Sequence, residues 1–161
     1  MKSELIPAYD HPEEVRQLFA EYTDMLMEGD PLIRDYLKLQ GYEEEIRHLE
    51  KKYGLPDGRL YLAYQEGELA GCIGLRKMDE ERCEMKRLYV RPRFRGSRIG
   101  SQLVERILQD AGQIGYRRIL LDTLPFLKSA IRMYQRYGFY EIPKYNDNPI
   151  DSSIYLQLDL T

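Results

Sequence analysis

The stretch Met85–Gly100, MKRLYVRPRFRGSRIG, constrains this chain more than any other. An apolar strand containing Leu88, Tyr89 and Val90 runs into Pro92 and then into a loop dense in arginine. The loop opens through Gly96-Ser97-Arg98-Ile99-Gly100 onto a helix. Backbone amides at a helix start have no intrahelical acceptor, and the dipole there is positive. Strand, glycine loop and helix start together make a cradle for a phosphate-bearing ligand, to which Arg93, Arg95 and Arg98 add charge. A plain strand-to-helix turn would account for the glycines alone, but not for the arginines. The spacing is neither that of a Walker A loop nor that of a dinucleotide fingerprint.

The helix that follows is unambiguous. Ile99, Leu103, Val104, Ile107, Leu108 and Ala111 form one apolar stripe, and Gly112 and Gly115 mark its end. Ahead of it lies a meander of strands, 59–65, 68–76 and 82–90, joined by turn signals at Glu66-Gly67 and Asp79-Glu80-Glu81. Behind it come a buried-type strand over 117–123, a helix through Ala130–Tyr137 closed by Gly138, a short strand over 139–142 and an alternating strand over 153–160. Strand, helix and strand in that order imply a parallel crossover after Val90. At the N-terminus, residues 4–8 read as an edge strand, since Pro7 cannot donate to a ladder. Asp10 is placed to cap a helix opening at Pro12, and Gly29-Asp30-Pro31 ends it. A second helical region spans about 32–53, interrupted at Gly41. The expected fold is α/β (α+β): one mixed, mostly antiparallel central sheet of about six or seven strands flanked by about four helices.

The length of 161 residues suits one domain over 1–161. A net charge of −3 and the lack of aromatic residues interleaved with the basic run argue against nucleic-acid binding. No apolar run is long enough to span a membrane, and the first ten residues lack the apolar core of a signal peptide. Cys72 and Cys83 lack metal-ligand spacing, so no metal site is expected, and a cytoplasmic setting with reduced thiols follows. The final strand is expected to be exposed, offering an edge through which two copies pair as a homodimer.

Two separated motifs carry a resemblance: LYVRPRFRGSRIGSQL at 88–103 and SAIRMYQRYGF at 129–139. With a strand of the right type between them, residues 84–160 resemble the GNAT superfamily of acetyl-CoA-dependent N-acetyltransferases. The family's loop pattern, Arg/Gln-x-x-Gly-x-Gly/Ala, falls on Arg95, Arg98 and Gly100, so Arg98 stands where the family has glycine. The resemblance implies the acyl-CoA N-acyltransferase fold and acetyl transfer from acetyl-CoA to a primary amine, expected to be that of a small molecule, by direct attack in a ternary complex. A non-catalytic acyl-CoA-binding module and an enzyme acting on a peptide or protein amine are the alternatives. No cysteine lies in either motif, so no acetyl-cysteine intermediate is expected.

The resemblance also distributes roles. Arg95, Gly96, Ser97, Arg98, Ile99, Gly100 and Ser101 would hold the pyrophosphate. Leu88, Tyr89 and Val90 would pair with the peptide-like pantetheine as an added strand does, with the Leu88 N–H polarising the thioester. Lys128 and Ser129 would meet the cofactor at the start of the last helix. Tyr134 would protonate the departing thiolate, against the plainer reading of a packed core tyrosine. Glu84, counted four residues before Leu88 on the same strand face, would take the amine's proton, directly or through water. Asp122 reads as a structural hydrogen-bonding residue. Glu43-Glu44-Glu45 is either a solvated helix face or a lure for a cationic small amine, with Tyr145 and its neighbours adding hydrogen bonds from the other side.

Overall fold

The computed structural model describes residues 2–160, so Met1 and Thr161, the ends of the expected domain, lie outside it. The strands are β1 (Ser3–Pro7), β2 (Arg59–Gln65), β3 (Glu68–Lys77), β4 (Arg82–Val90), β5 (Arg118–Thr123), β6 (Tyr140–Glu141) and β7 (Ile154–Asp159). The helices are α1 (Pro12–Gly29), α2 (Ile33–Leu39), α3 (Tyr42–Arg47), α4 (Leu49–Tyr53), α5 (Ile99–Ile114) and α6 (Lys128–Arg136). The strands form one seven-stranded sheet in the order β1-β2-β3-β4-β5-β7-β6. Every pairing is antiparallel except β4 with β5, the parallel crossover that α5 makes.

Three local readings differ from the sequence expectation. The region 32–53 is three short helices, because Gly41 takes a left-handed φ of 68° and His48 departs from helical geometry. Asp10 does not cap α1; His11 occupies that position without a side-chain bond, and Pro12 supplies the preset φ. The final strand is not an edge. β7 is covered by β5 on one side and by β6 on the other, so the edges are β1 and the two-residue β6. The geometric basis for pairing two copies through β7 is therefore gone.

Each face of the sheet is covered. Ile99, Leu103, Val104, Ile107 and Ala111 of α5 are buried against Cys83, Met85 and Ile119, with Met133 and Tyr134 of α6 in the same cluster. Full burial of each such aliphatic side chain contributes about 1.5–3 kcal/mol. On the other face, Val15, Leu18 and Phe19 of α1 and Tyr53 of α4 pack on Leu60, Leu62, Cys72 and Tyr89. Gly74 of β3 exists for that packing: a Cβ there would stand 2.7 Å from the Tyr53 ring.

Two departures from regular sheet geometry open the structure at one place. The first is a bulge. The β3–β4 register passes from Gly74↔Lys86 to Cys72↔Tyr89, so Arg87 and Leu88 together face Ile73. Arg87 absorbs the extra residue at a φ of 61°. The second is a divergence. β4 pairs with β5 only over Arg82–Glu84, and Met85–Val90 leave β5 without a ladder partner.

Candidate active site

The divergence opens a cleft of about 640 Å³, within the size range of ligand pockets. Its walls are Met85–Val90 on one side and Leu121–Thr123 on the other. At one end lie Arg95, Gly96 and Arg98–Ser101 of the loop and the start of α5; Lys128, Ser129, Met133 and Tyr134 of α6 close it from below. Arg95 donates from Nε to the Val90 carbonyl at 3.0 Å, which ties the loop to the strand.

The loop is rich in unused donors. Arg95 donates its amide to Pro92 and Gln102 donates to Arg98. Among the described residues, none of the backbone amides from Gly96 through Ser101 has an acceptor. Gly96 at φ 86° and Arg98 at φ 71° turn these N–H groups into a concave nest at the head of a long helix. Ser97 donates its hydroxyl to the Phe94 carbonyl and does not line the cleft, so its contribution is the backbone.

The basic run divides by partner. Arg87 forks onto Glu45 and Arg91 onto Glu21, while Arg93 meets Glu68 through Nη2 alone. Arg95 and Arg98 have no carboxylate partner among the described residues and remain at the nest. Arg91 and Arg93 thus brace the loop, and Arg93 is not a cleft residue.

A sequence model of the Acetyltransferase (GNAT) family matches residues 15–139. This chain is a member of the GNAT family. An uncharacterized N-acetyltransferase of Dictyostelium discoideum is 31% identical, over 99% of this chain and all of that one. A GNAT-family acetyltransferase of Staphylococcus aureus superposes with a TM-score of 0.78 at 20% identity, covering 99% of this chain and all of that one. An N-acetyltransferase of Thermoplasma acidophilum in complex with coenzyme A superposes with a TM-score of 0.73 at 17% identity, covering 99% of each. At such identities these two likenesses bear on the fold alone, which is the acyl-CoA N-acyltransferase fold.

Within this GNAT chain, Tyr134 is 6% exposed, lies in the cleft wall and packs its ring against Phe139 at 5.6 Å. No described residue hydrogen-bonds its hydroxyl. Burial raises its pKa, and Tyr22 and Asp122 add to the rise, so the phenol stays protonated. Glu84 is 2% exposed and lies outside the cleft wall. It accepts from Arg76 Nε at 2.6 Å and from the Tyr145 hydroxyl. Burial alone would raise its pKa; Lys86 and Arg76 outweigh burial and hold the carboxyl below its usual range. The bulge also separates Glu84 from Leu88. Leu88 and Val90 face α5 with Met85, while Glu84 faces the opposite side, so counting by two from 84 to 88 fails at Arg87.

The acidic run 43–45 also divides. Glu43 and Glu44 are exposed and line neither cavity; Glu44 meets Lys51 and His48. Glu45 is buried beneath Arg87 and Lys52 and accepts the Tyr53 hydroxyl at 2.8 Å. No carboxylate of this run faces the cleft as a lure for a cation. Tyr145 serves Glu84 rather than lining the cleft, but its neighbours reach further. Asn146 donates to Asp122 at 2.9 Å, Tyr36 donates to the same oxygen, and Asn148 lines a small side chamber. The structural role read for Asp122 is thus present.

Sequence reasoning missed Lys86 and Arg87 as site residues. Both line the cleft while nearly fully buried. Two adjacent charged residues between apolar ones in a strand, Met85-Lys86-Arg87-Leu88, were the available signal.

Arg98 permits a direct test of the loop. A left-handed non-glycine residue costs about 1–2 kcal/mol. Glycine's unfolded-state entropy returns about 0.5–1 kcal/mol of that. Arg98→Gly is therefore expected to raise stability by up to about 1 kcal/mol, or about 2–4 °C in Tm for a chain of this length, read by calorimetry on the free protein.

Proposed function

We propose that this protein transfers the acetyl group of acetyl-CoA to a primary amine of a small molecule, by direct attack in a ternary complex. One observation carries this reading. A single cleft joins the unused amides of Gly96–Ser101, the unpaired edge of β4 and the Tyr134 hydroxyl. Its volume and the chemistry of its walls suit a pyrophosphate, an amide-bearing arm and a thioester. The coenzyme A held by the Thermoplasma acidophilum relative and the N-acetyltransferase names of the family support it.

In this reading residues 1–161 act as one domain. The nest amides bind the pyrophosphate, with Arg95, Arg98, Lys128 and Ser129 around the charged end. Leu88–Val90 bind the pantetheine amides as a neighbouring strand would, and the Leu88 N–H stabilises the oxyanion. The amine nitrogen forms its bond to the acetyl carbon, and the carbon–sulfur bond breaks. Tyr134 gives its proton to the departing sulfur. Glu84 receives the amine's proton through bridging water, since its carboxylate stands behind the cleft wall. The buried cations that weaken Glu84 as a base also disfavour the ammonium form of the acceptor, which offsets the loss. The buried unpaired thiols of Cys72 and Cys83 support a cytoplasmic setting.

The test is thiol release from acetyl-CoA across a panel of small amines and peptides. Turnover that requires both substrates, with intersecting rather than parallel initial-rate lines, is expected. Coenzyme A binding with no turnover on any amine would replace this reading with a non-catalytic acyl-CoA-binding module. Turnover on peptides alone would move the acceptor to that class.

A further inference from the structure

The acceptor end of the cleft carries a charge pattern that the acetyl-transfer chemistry does not itself require. A side chamber of about 40 Å³ adjoins the cleft, and Tyr22, Arg87, Asp122, Thr123 and Leu127 belong to the walls of both. Arg87 is buried, with Nε and Nη2 committed to Glu45 and Gln40. Its Nη1 donates to no described residue. Lys86, 8% exposed, lies next to it in the cleft wall. Its nearest carboxylate, on Glu84, is 3.9 Å away, and its ammonium has no hydrogen-bond partner among the described residues. Neither donor is sealed inside the protein: both residues line the cleft, and among the described residues only the Tyr155 hydroxyl is fully enclosed without a partner, so a ligand in the cleft can accept from them.

The charges do not cancel. Arg76, Lys86, Arg87 and Lys52 pair with Glu84 and Glu45, and Asp122 acts on Lys86 across the cleft without an ion pair, which leaves one positive charge over. Burial lowers the Lys86 pKa to about 8, with Glu84 and Asp122 resisting, as expected of a cation short of counter-charge. On the opposite wall, Asp122 accepts from Tyr36 and Asn146 through Oδ2 only. Its Oδ1 has no partner among the described residues.

We infer that the acceptor is a small amino acid, its carboxylate bound between Lys86 and Arg87 Nη1 and its amino group led in past Asp122. This rests on the acetyl-transfer reading above and names the substrate class of the same site. A carboxylate supplies the missing negative charge and accepts the two unused donors together. The chamber, walled in part by Arg87 and Asp122 but not by Lys86, has room on that side of the carboxylate for a small group only. The exposed positions of Glu43 and Glu44, outside both cavities, take from the site the carboxylates that would have drawn in a cationic small amine.

The test uses the full chain loaded with coenzyme A. Equilibrium binding is measured for glycine, alanine, serine and leucine, each beside its carboxamide. At least one acid is expected to bind ten-fold or more tightly than its carboxamide, and Lys86→Met to lower that ratio to near one. Because removing Arg87 alone takes the bidentate partner from Glu45, its contribution is read in Glu45→Gln/Arg87→Met, where the same loss of preference is expected. Carboxamides binding as well as every acid would overturn the inference, whatever the enzyme's turnover. Acids that bind selectively while no amine is acetylated would leave this site standing and defeat the acetyl-transfer reading. Brisk acetylation of amines with no carboxylate preference would do the reverse.

Discussion

Tyr134→Phe is expected to lower kcat for acetyl transfer by about 10²- to 10⁴-fold while the KM for acetyl-CoA holds. The substitution removes one oxygen and keeps the ring. The contact with Phe139 at 5.6 Å survives, as does burial in the α5–α6 cluster, so the fold is retained. What is lost is a proton held where the sulfur must depart. Burial and the nearby Tyr22 and Asp122 keep that proton on the phenol through the neutral range. The comparison is made by steady-state kinetics, with coenzyme A binding measured in parallel. An unchanged kcat would return Tyr134 to an ordinary core residue and pass protonation of the thiolate to water.

Arg87→Met is expected to destabilise the protein by about 3–5 kcal/mol, because a buried carboxylate loses its bidentate partner and keeps only Lys52 as counter-charge. Glu45 sits under β4 with Arg87 Nη2 at 2.8 Å and Lys52 at 2.7 Å, and it also accepts from Tyr53. The paired variant Glu45→Gln/Arg87→Met should recover part of the loss, because glutamine keeps an acceptor for the Tyr53 hydroxyl and the one cation then left without a carboxylate, Lys52, is partly exposed. Denaturant midpoints of the three proteins decide it, and a double variant as unstable as the single one would refute the account. The same pair sets an acid limit. Burial alone would raise the Glu45 pKa, but Arg87 and Lys52 lower it to about 2. A depressed carboxyl stabilises the fold fully above its unfolded value and progressively less as pH falls toward about 2. Acid unfolding should therefore be shallower in the paired variant.

Much of the fold is legible because local signals agree. Glu66-Gly67 reads as a two-residue turn, and both residues take positive φ there. The α5 stripe is buried as its spacing requires, and Gly115 closes the helix at φ 112°. The cleft is legible only in part. Its loop was readable from glycine and arginine; its bulge was not, because the residue that turns left-handed in β4 is Arg87 and not glycine. A regular period of two then places Glu84 with Leu88, and only the three-dimensional register corrects it. Glu45 failed for a related reason. A run of three glutamates has the composition of a solvated face, and burial of one depends on an arginine 42 residues away. The order β5-β7-β6 is equally invisible, since a two-residue strand after Gly138 fits on either side of β7 by pattern alone.

Among the described residues, the three backbone pairs between Arg82–Glu84 and Arg118–Leu120 are all the ladder that joins β1–β4 to β5–β7. Mechanically, the sheet is two plates riveted along one short seam, with the cleft as the open end of the joint. A ligand laid along the free edge of β4 would lengthen the seam from within, so cofactor binding would stiffen the joint between the two plates.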